Sequence, residues 1–466
     1  MSRVVSFRDP GGSVSVTHDR VIRTVFPAGV ANLNACLNSS AARRFVEEGS
    51  LIGTQTIAAH TLQQDVSVLD RQVVVEHPRI PFVSYPYEWP SAMLHAAARL
   101  TLELCSSLLE EGLGLKDATP SNILFRGPRP VFIDVLSIEE RNPLDPIWLA
   151  DAQFARTFLI PLLLNRRTGY PIHELFLFHR DGIAPEQAVR RLPGLRRWFP
   201  PDLGLVTLPA RAARFENESL YRSRQARDAG EARFVLARHF HALRKKLDGL
   251  EPAAVASAWS GYEAACPSYS NEQQAAKRQW LERTLREIKP DRVLDVGSNT
   301  GEYSLMASAA GASVVSIDSD AESVAALWRS AAAAGADILP LVVDFARPTP
   351  PGGWLCQEHS SFLERAGGFF DCALFLAVTH HLMVTDQIPL EQIFDAAASL
   401  TTRWLAIEYI GPQDPMFRRL ARGRDALYQW YSRSAFDDCA RRSFDIVSSI
   451  EIPSSDRALC LLRRKS

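Results

Sequence analysis

The chain has 466 residues, 46% hydrophobic and 23% charged, with 52 Lys and Arg against 53 Asp and Glu. That length allows two or three domains, and a formal net charge of −1 gives no electrostatic case for nucleic acid or an anionic membrane as partner. No run reaches the ~20 apolar residues of a membrane span, the amino terminus MSRVVSFRDPGG lacks the apolar segment of a signal peptide, and seven scattered cysteines without a C-x-x-C argue for a reducing cytoplasm over a zinc cage or disulfide framework.

Residues 1–90 alternate short β-like runs with turns: Ser13 to Val16, Arg20 to Val25, Val66 to Leu69 and Gln72 to Glu76, with a helix predicted over Ala41 to Glu48. FVSYPYEWP, from Phe82 to Pro90, is too rich in proline and aromatics for a helix and reads as an extended connector. From Ser91 to Glu111 apolar residues recur at helical spacing. The stretch LKDATPSNILF then leads through a turn at Gly127 to Arg129 into an apolar strand ending in Asp134. Asp151 to Leu164 reads as an apolar helix beneath that loop, and Arg233 to Leu247 as a basic one. His239 and His241 lie two apart, so they do not share a helix face and do not form a metal pair.

The order Asp117-x-x-x-x-Asn122, a hairpin, then a strand ending in Asp134 resembles the catalytic loop and metal-binding acid of protein-kinase-like phosphotransferases. The resemblance implies Asp117 as the base that receives a hydroxyl proton. It implies Asn122 and Asp134 as oxygen ligands for Mg²⁺ with ATP. The small lobe departs from that pattern. There is no lysine before Lys116, which leaves Arg20 and Arg23 as stand-ins on their strand. Gly11-Gly12 is a meagre phosphate loop, and Val135-Leu136 follows Asp134 instead of Phe-Gly. The expectation is a kinase-like region without phosphotransfer, whose polar loop is either structural or binds a ligand without turnover.

Residues 248–258 read as a boundary, followed by Trp259, Tyr262, Tyr269 and a predicted helix over Glu272 to Ile288. Next comes DRVLDVGSNTG, Asp291 to Gly301: a short buried strand, a tight glycine turn and a helix start. Glycine lets backbone approach a ligand, and the helix start offers unpaired N–H donors. A dinucleotide site would carry G-x-G-x-x-G and favour a pyrophosphate. Here the glycines stand four apart behind Asp295, which suits a cationic sulfonium better. Beyond, strands alternate with helices, and almost every strand ends in a polar residue: Asp318, Asp344, Thr379-His380-His381 and Glu408. That alternation predicts a doubly wound sheet binding its ligand at the carboxyl ends of the strands.

These residues resemble the class I S-adenosylmethionine (SAM) methyltransferases, whose first motif is commonly acid-x-Gly-x-Gly-x-Gly. Asn299 stands where the middle glycine usually is, and Asn tolerates a left-handed backbone. The resemblance implies Asp295, Gly297, Asn299, Gly301, Asp318, Asp344 and Phe345 as the SAM site. Asp318 would face the ribose, Asp344 the adenine amino group, and Phe345 would flank the ring. Tyr269 and Lys277 fall where the family often covers its cofactor, or belong to an ordinary surface helix. His380 and His381 are candidate bases, or one caps the next helix. Glu408 is a base or amine anchor, or a satisfied buried carboxylate.

From Ser84 to Pro415, the segments SYPYEWP, LKDATPSNILF, PVFIDVLS, LDVGSNTGEYS, THHL and IEYIGPQDP are similar to a bacterial NoeA-type family. That family joins a kinase-like N-terminal region to a class I methyltransferase. The implied architecture is α/β. A small β-rich lobe over 1–90 and a helical lobe over 91–250 form a degenerate kinase-like α+β domain. A Rossmann-like methyltransferase with a final antiparallel strand follows over 251–466. The leading expectation is SAM-dependent methylation of a small molecule, glycan or biosynthetic intermediate, with the kinase-like part recognising substrate or scaffolding. A bifunctional Mg-ATP-dependent kinase and methyltransferase, and a non-catalytic SAM- or nucleotide-binding recognition protein, are the alternatives.

Overall fold

The computed structural model describes residues 3–17, 20–58, 72–192, 194–212, 225–253 and 270–465. Val66–Leu69, Trp259, Tyr262 and Tyr269, singled out above, lie outside them. The chain divides into two units, Met1–Ala253 and Ala254–Ser466.

In the first unit, β1 (Arg3–Ser6), β2 (Gly12–Val16), β3 (Val21–Val25), β4 (Gln55–Ile57) and β5 (Val73–His77) form an antiparallel sheet in the order β1-β2-β3-β5-β4. β-Branched side chains are buried on both of its faces, Ile22 and Val74 on one and Val25 and Val75 on the other. Between β3 and β4 run the helices Val30–Asn38 and Ser40–Glu47, the second capped by Ser39, which accepts from Ala42 N at 3.0 Å. The aromatic connector contains one short turn, Pro86–Glu88. It is fixed by Trp89 Nε1 donating to Ser84 Oγ at 3.0 Å and by Tyr85 N donating to Glu88 at 3.1 Å.

The long helix Ser91–Leu109 follows and packs along Ala229–Asp248, where His95 Nε2 lies 3.0 Å from Leu247 O. β6 (Leu113–Leu115) pairs with β9 (Ile138–Glu140). β7 (Ile123–Arg126) and β8 (Arg129–Phe132) make the expected hairpin, turning at Gly127 with φ +54°. His239 Nε2 lies 2.7 Å from Asp151 Oδ1. Among the described residues no group of His, Cys, Asp and Glu could hold a metal ion, and no helix is long and apolar enough to cross a membrane.

The second unit is a seven-stranded sheet with helices between its strands. Its strands are β10 (Arg292–Val296), β11 (Ser313–Asp318), β12 (Ile338–Val342), β13 (Phe370–Phe375), β14 (Thr401–Ile410), β15 (Phe444–Glu451) and β16 (Arg457–Arg464). The order is β12-β11-β10-β13-β14-β16-β15. β10 to β14 are parallel, and the closing hairpin inserts β16 antiparallel to β14. Trp280, Leu281 and Leu285 of the helix Asn271–Ile288 pack with Val293, Val314, Leu374 and Leu459 in one core. The direction of sheet winding reverses between β10 and β13, and ligands of open α/β sheets bind at such a reversal.

Candidate functional site

The turn after β10 lies at that reversal. Gly297 has φ +73°, Asn299 φ +48° and Gly301 φ +86°, so asparagine takes the left-handed place expected of the middle glycine. A Cβ on Gly301 would come within 2.0 Å of Leu327 Cδ1, and one on Gly297 within 3.1 Å of Val378 Cγ2. The absence of side chains there is what lets the turn pass between the helix Ala321–Ala334 and the segment after β13.

Two carboxylates organise the turn. Asp318 Oδ2 accepts from Asn299 N at 2.8 Å, and its Oδ1 accepts from Asp320 N at 2.9 Å. Asp295 is 1% exposed and accepts from Ser304 Oγ at 2.5 Å, while that hydroxyl lies 2.7 Å from Ser316 Oγ. Burial pushes the Asp295 carboxyl up to about 6, the Ser304 hydrogen bond pulling the other way. Burial also raises Asp318, against the donated backbone N–H groups of Asp320 and Asn299. Both acids therefore take their hydrogen bonds from neutral donors.

Asp344, beyond β12, accepts from Ala346 N at 2.9 Å and pairs with Arg347 at 3.0 Å. Its side chain is 37% exposed, and Arg347 also reaches Asp386. Phe345 sets its ring edge-on to Phe375, at the end of β13, with centroids 5.3 Å apart.

The segment after β13 carries the histidines. Ala377 has φ +59°, unusual for a residue with a Cβ, and its N–H donates to Glu408 Oε2 at 2.9 Å. Glu408, in β14, is 0% exposed and also takes Lys277 Nζ at 2.7 Å and Arg457 Nη1 at 3.4 Å. Arg457 in turn forks onto Asp414 at 2.7 and 3.1 Å. Lys277 is thus a buried member of an ion cluster, not part of an ordinary surface helix, and its Nζ sits 4.7 Å from the Tyr303 ring centroid. Among the described residues, His380, 3% exposed, has no hydrogen-bond partner for either ring nitrogen, and the buried Thr379 and Ser298 hydroxyls have none either. Burial drives the His380 imidazole well below its ordinary value, assisted by His381, Arg457 and Lys277. His381 is lowered by burial as well, and the two rings lie 4.2 Å apart.

The sheet thus brings Asp295, Gly297, Asn299, Gly301, Asp318, Phe345, His380, His381, Glu408 and Lys277 to its strand ends. Asp344 stands at the more open side of the same edge. Asp117, Asn122 and Asp134 belong to the other unit. Sequence reasoning missed Ser298, Ser304, Ser316, Asp414 and Arg457. The available signal was a polar residue inside an apolar run, as Ser316 is within SVVSID.

Residues 269–448 match the family model described as a methyltransferase domain. Over 468 aligned residues the chain is 31% identical to the nodulation protein NoeA of Rhizobium meliloti (strain 1021), covering 98% of this chain and 95% of that protein. The chain belongs to the NoeA family. Solved structures similar to it include the N-methyltransferase NodS from Bradyrhizobium japonicum WM9, with 13% identity, a TM-score of 0.32 and coverage of 42% of this chain and 99% of that one. Magnesium protoporphyrin IX methyltransferase from Synechocystis PCC 6803 with bound SAH is 15% identical with a TM-score of 0.31, over 44% of this chain and 94% of that one. Within this NoeA-family chain the second unit has the Rossmann-like fold of class I SAM-dependent methyltransferases.

Proposed function

We propose that the second unit transfers a methyl group from SAM to a small-molecule or glycan acceptor bound over Thr379–His381. The observation that carries this reading is the left-handed Gly297-x-Asn299-x-Gly301 turn at the sheet's reversal, flanked by the buried Asp295 and the half-buried Asp318, which take their hydrogen bonds from a serine hydroxyl and backbone N–H groups. Asp318 has lone pairs left for ribose hydroxyls. Asp295 supplies negative charge towards the sulfonium and amino end, Asp344 faces the adenine amino group, and Phe345 flanks the ring. When bound, SAM supplies an electrophilic methyl carbon.

The chain's own residues do the rest. His380, kept neutral by burial and by the nearby cations, accepts the acceptor's proton through a ring nitrogen that has no hydrogen-bond partner among the described residues. His381 packs against it and limits its rotation. Glu408 is a positioning residue: its carboxylate is committed to Lys277, Arg457 and the Ala377 N–H. A non-glycine residue at positive φ costs about 1–3 kcal/mol and persists only where its surroundings over-determine it. Glu408 supplies that constraint and so aims the Thr379–His381 segment.

The first unit fits a kinase-like reading. Its five-stranded antiparallel sheet, the helices between β3 and β4, the Asp117–Asn122 loop, the β7–β8 hairpin and the strand-end Asp134 follow the order of that family. Its role is to recognise substrate or scaffold the enzyme. Tritiated-methyl SAM incubated with fractionated cell extract tests the proposal. Label is expected in a small-molecule or glycan fraction with wild type and absent with Gly301→Val. Calorimetric SAM binding with no labelled fraction would leave a binding protein instead.

A further inference from the structure

Protein-kinase-like folds imply Mg²⁺ and ATP, and the residues of the first unit do not fit them. Asp134, the acid that would hold the metal, receives Arg23 Nη1 on its Oδ1 at 3.0 Å, with both side chains largely buried. Arg23 Nη2 also reaches Ile133 O at 3.4 Å. Guanidinium does not deprotonate in proteins, so a dication at Asp134 would sit against a fixed positive charge. Burial pushes the Asp134 carboxyl up and Arg23 is the largest influence pulling it down. The Asp117 carboxylate lies 3.5 Å from Gln153 Nε2.

The phosphate side is occupied in the same way. Lys116 Nζ pairs with Asp9, in the turn between β1 and β2, at 3.3 Å. That turn also carries Gly11-Gly12. A Cβ on Gly12 would meet Thr24 O at 2.6 Å and Leu136 Cδ1 at 3.1 Å, and one on Gly29 would meet Gly11 O at 2.2 Å. The glycines therefore let the turn pack down onto β3 and the Val135-Leu136 segment rather than arch over a ligand. Asn32 Nδ2 adds a third tie, donating to Leu136 O at 2.9 Å. Arg23 neutralises the acid that a metal would bind, and Asp9 neutralises the lysine that phosphates would meet, so both charges are answered by the chain's own side chains.

We propose that Arg23 and Lys116 are built-in counter-ions that latch the sheet of the first unit onto its Asp134 loop, so that this cleft takes neither a divalent cation nor a nucleoside triphosphate. The inference rests on the kinase-like reading and replaces a ligand with a self-closing scaffold. The test uses the full chain and thermal unfolding. Wild type is expected to gain stability with SAM and none with Mn²⁺, Mg²⁺ or Mg-ATP. Arg23→Gln and Asp134→Asn each lower the melting temperature by several degrees, and Asp134→Asn adds little once Arg23 is Gln. A melting temperature that rises with Mn²⁺ or Mg-ATP in wild type and not in Asp134→Asn would overturn the latch. So would additive losses in the double variant. A failure to respond to SAM would strike the methyltransferase reading alone and leave the latch standing.

Discussion

Both units place a carboxylate at the end of an apolar strand beside a polar loop, yet they satisfy it differently. Asp134 is met by a guanidinium at 3.0 Å. Asp295 and Asp318 are met by a serine hydroxyl and by backbone N–H groups. A cation cancels the carboxylate's field and closes the position to metals. Neutral dipoles stabilise the ion but leave its charge available to a cationic ligand. The acid alone does not mark a site; the charge of its partner decides what the site can take.

The sharpest way to break that comparison is to remove the group left open. His380→Ala should lower kcat by about 10²–10⁴-fold, the usual contribution of a positioned base, while SAM affinity measured by calorimetry stays close to wild type. An unchanged kcat would show that the open imidazole is not used. Next in size is Glu408→Ala, which leaves Lys277 and Arg457 short of a buried counter-ion and should cost about 3–5 kcal/mol in chemical denaturation. Glu408→Gln can still accept from Ala377 N, so it should keep more methyl transfer than Glu408→Ala. Equal activity losses in the two would count for Glu408 as a base.

The third test is a pH dependence. Asp295 titrates near 6 in the folded chain against an ordinary 3.8. Between those values the native state holds a proton that the unfolded chain has released, so stability falls as pH rises through the window and levels off above it. The whole fall across that window amounts to about 3 kcal/mol. SAM affinity should run the other way, weakening below about pH 6 because the cationic ligand favours the ionised carboxylate. Asp295→Asn should flatten both trends in calorimetry and in melts. The smallest effect separates two arginines of the first sheet. Arg20 binds Glu76 at 2.6 Å with both side chains about a third exposed, so Arg20→Ala should cost less than about 1 kcal/mol. Arg23→Ala should cost clearly more.

Much of the second unit was legible because its chemistry is local. The strand from Arg292 to Val296 and the turn residues Gly297, Asn299 and Gly301 are each announced by a short run of residues whose backbone preferences agree with their place. The helix expected over Glu272 to Ile288 lies at Asn271–Ile288. Less was readable in the first unit. The helix Val30–Asn38 and the strand Gln55–Ile57 went unpredicted, since VANLNACLN mixes apolar residues with three asparagines and QTI is too short to show a period. Arg20 and Arg23 looked equivalent on one strand, and nothing in their spacing told which would turn inward.

Local sequence determined the turn, because a left-handed backbone admits only glycine and asparagine readily, and it determined the alternation that makes an open α/β sheet. Pairing was decided only in three dimensions. Lys277 meets Glu408 across 131 residues, Arg23 meets Asp134 across 111, and Arg457 meets Asp414 across 43. Periodicity reports which residues share a face of one element, while the neutralisation of a buried charge depends on which elements the core brings together.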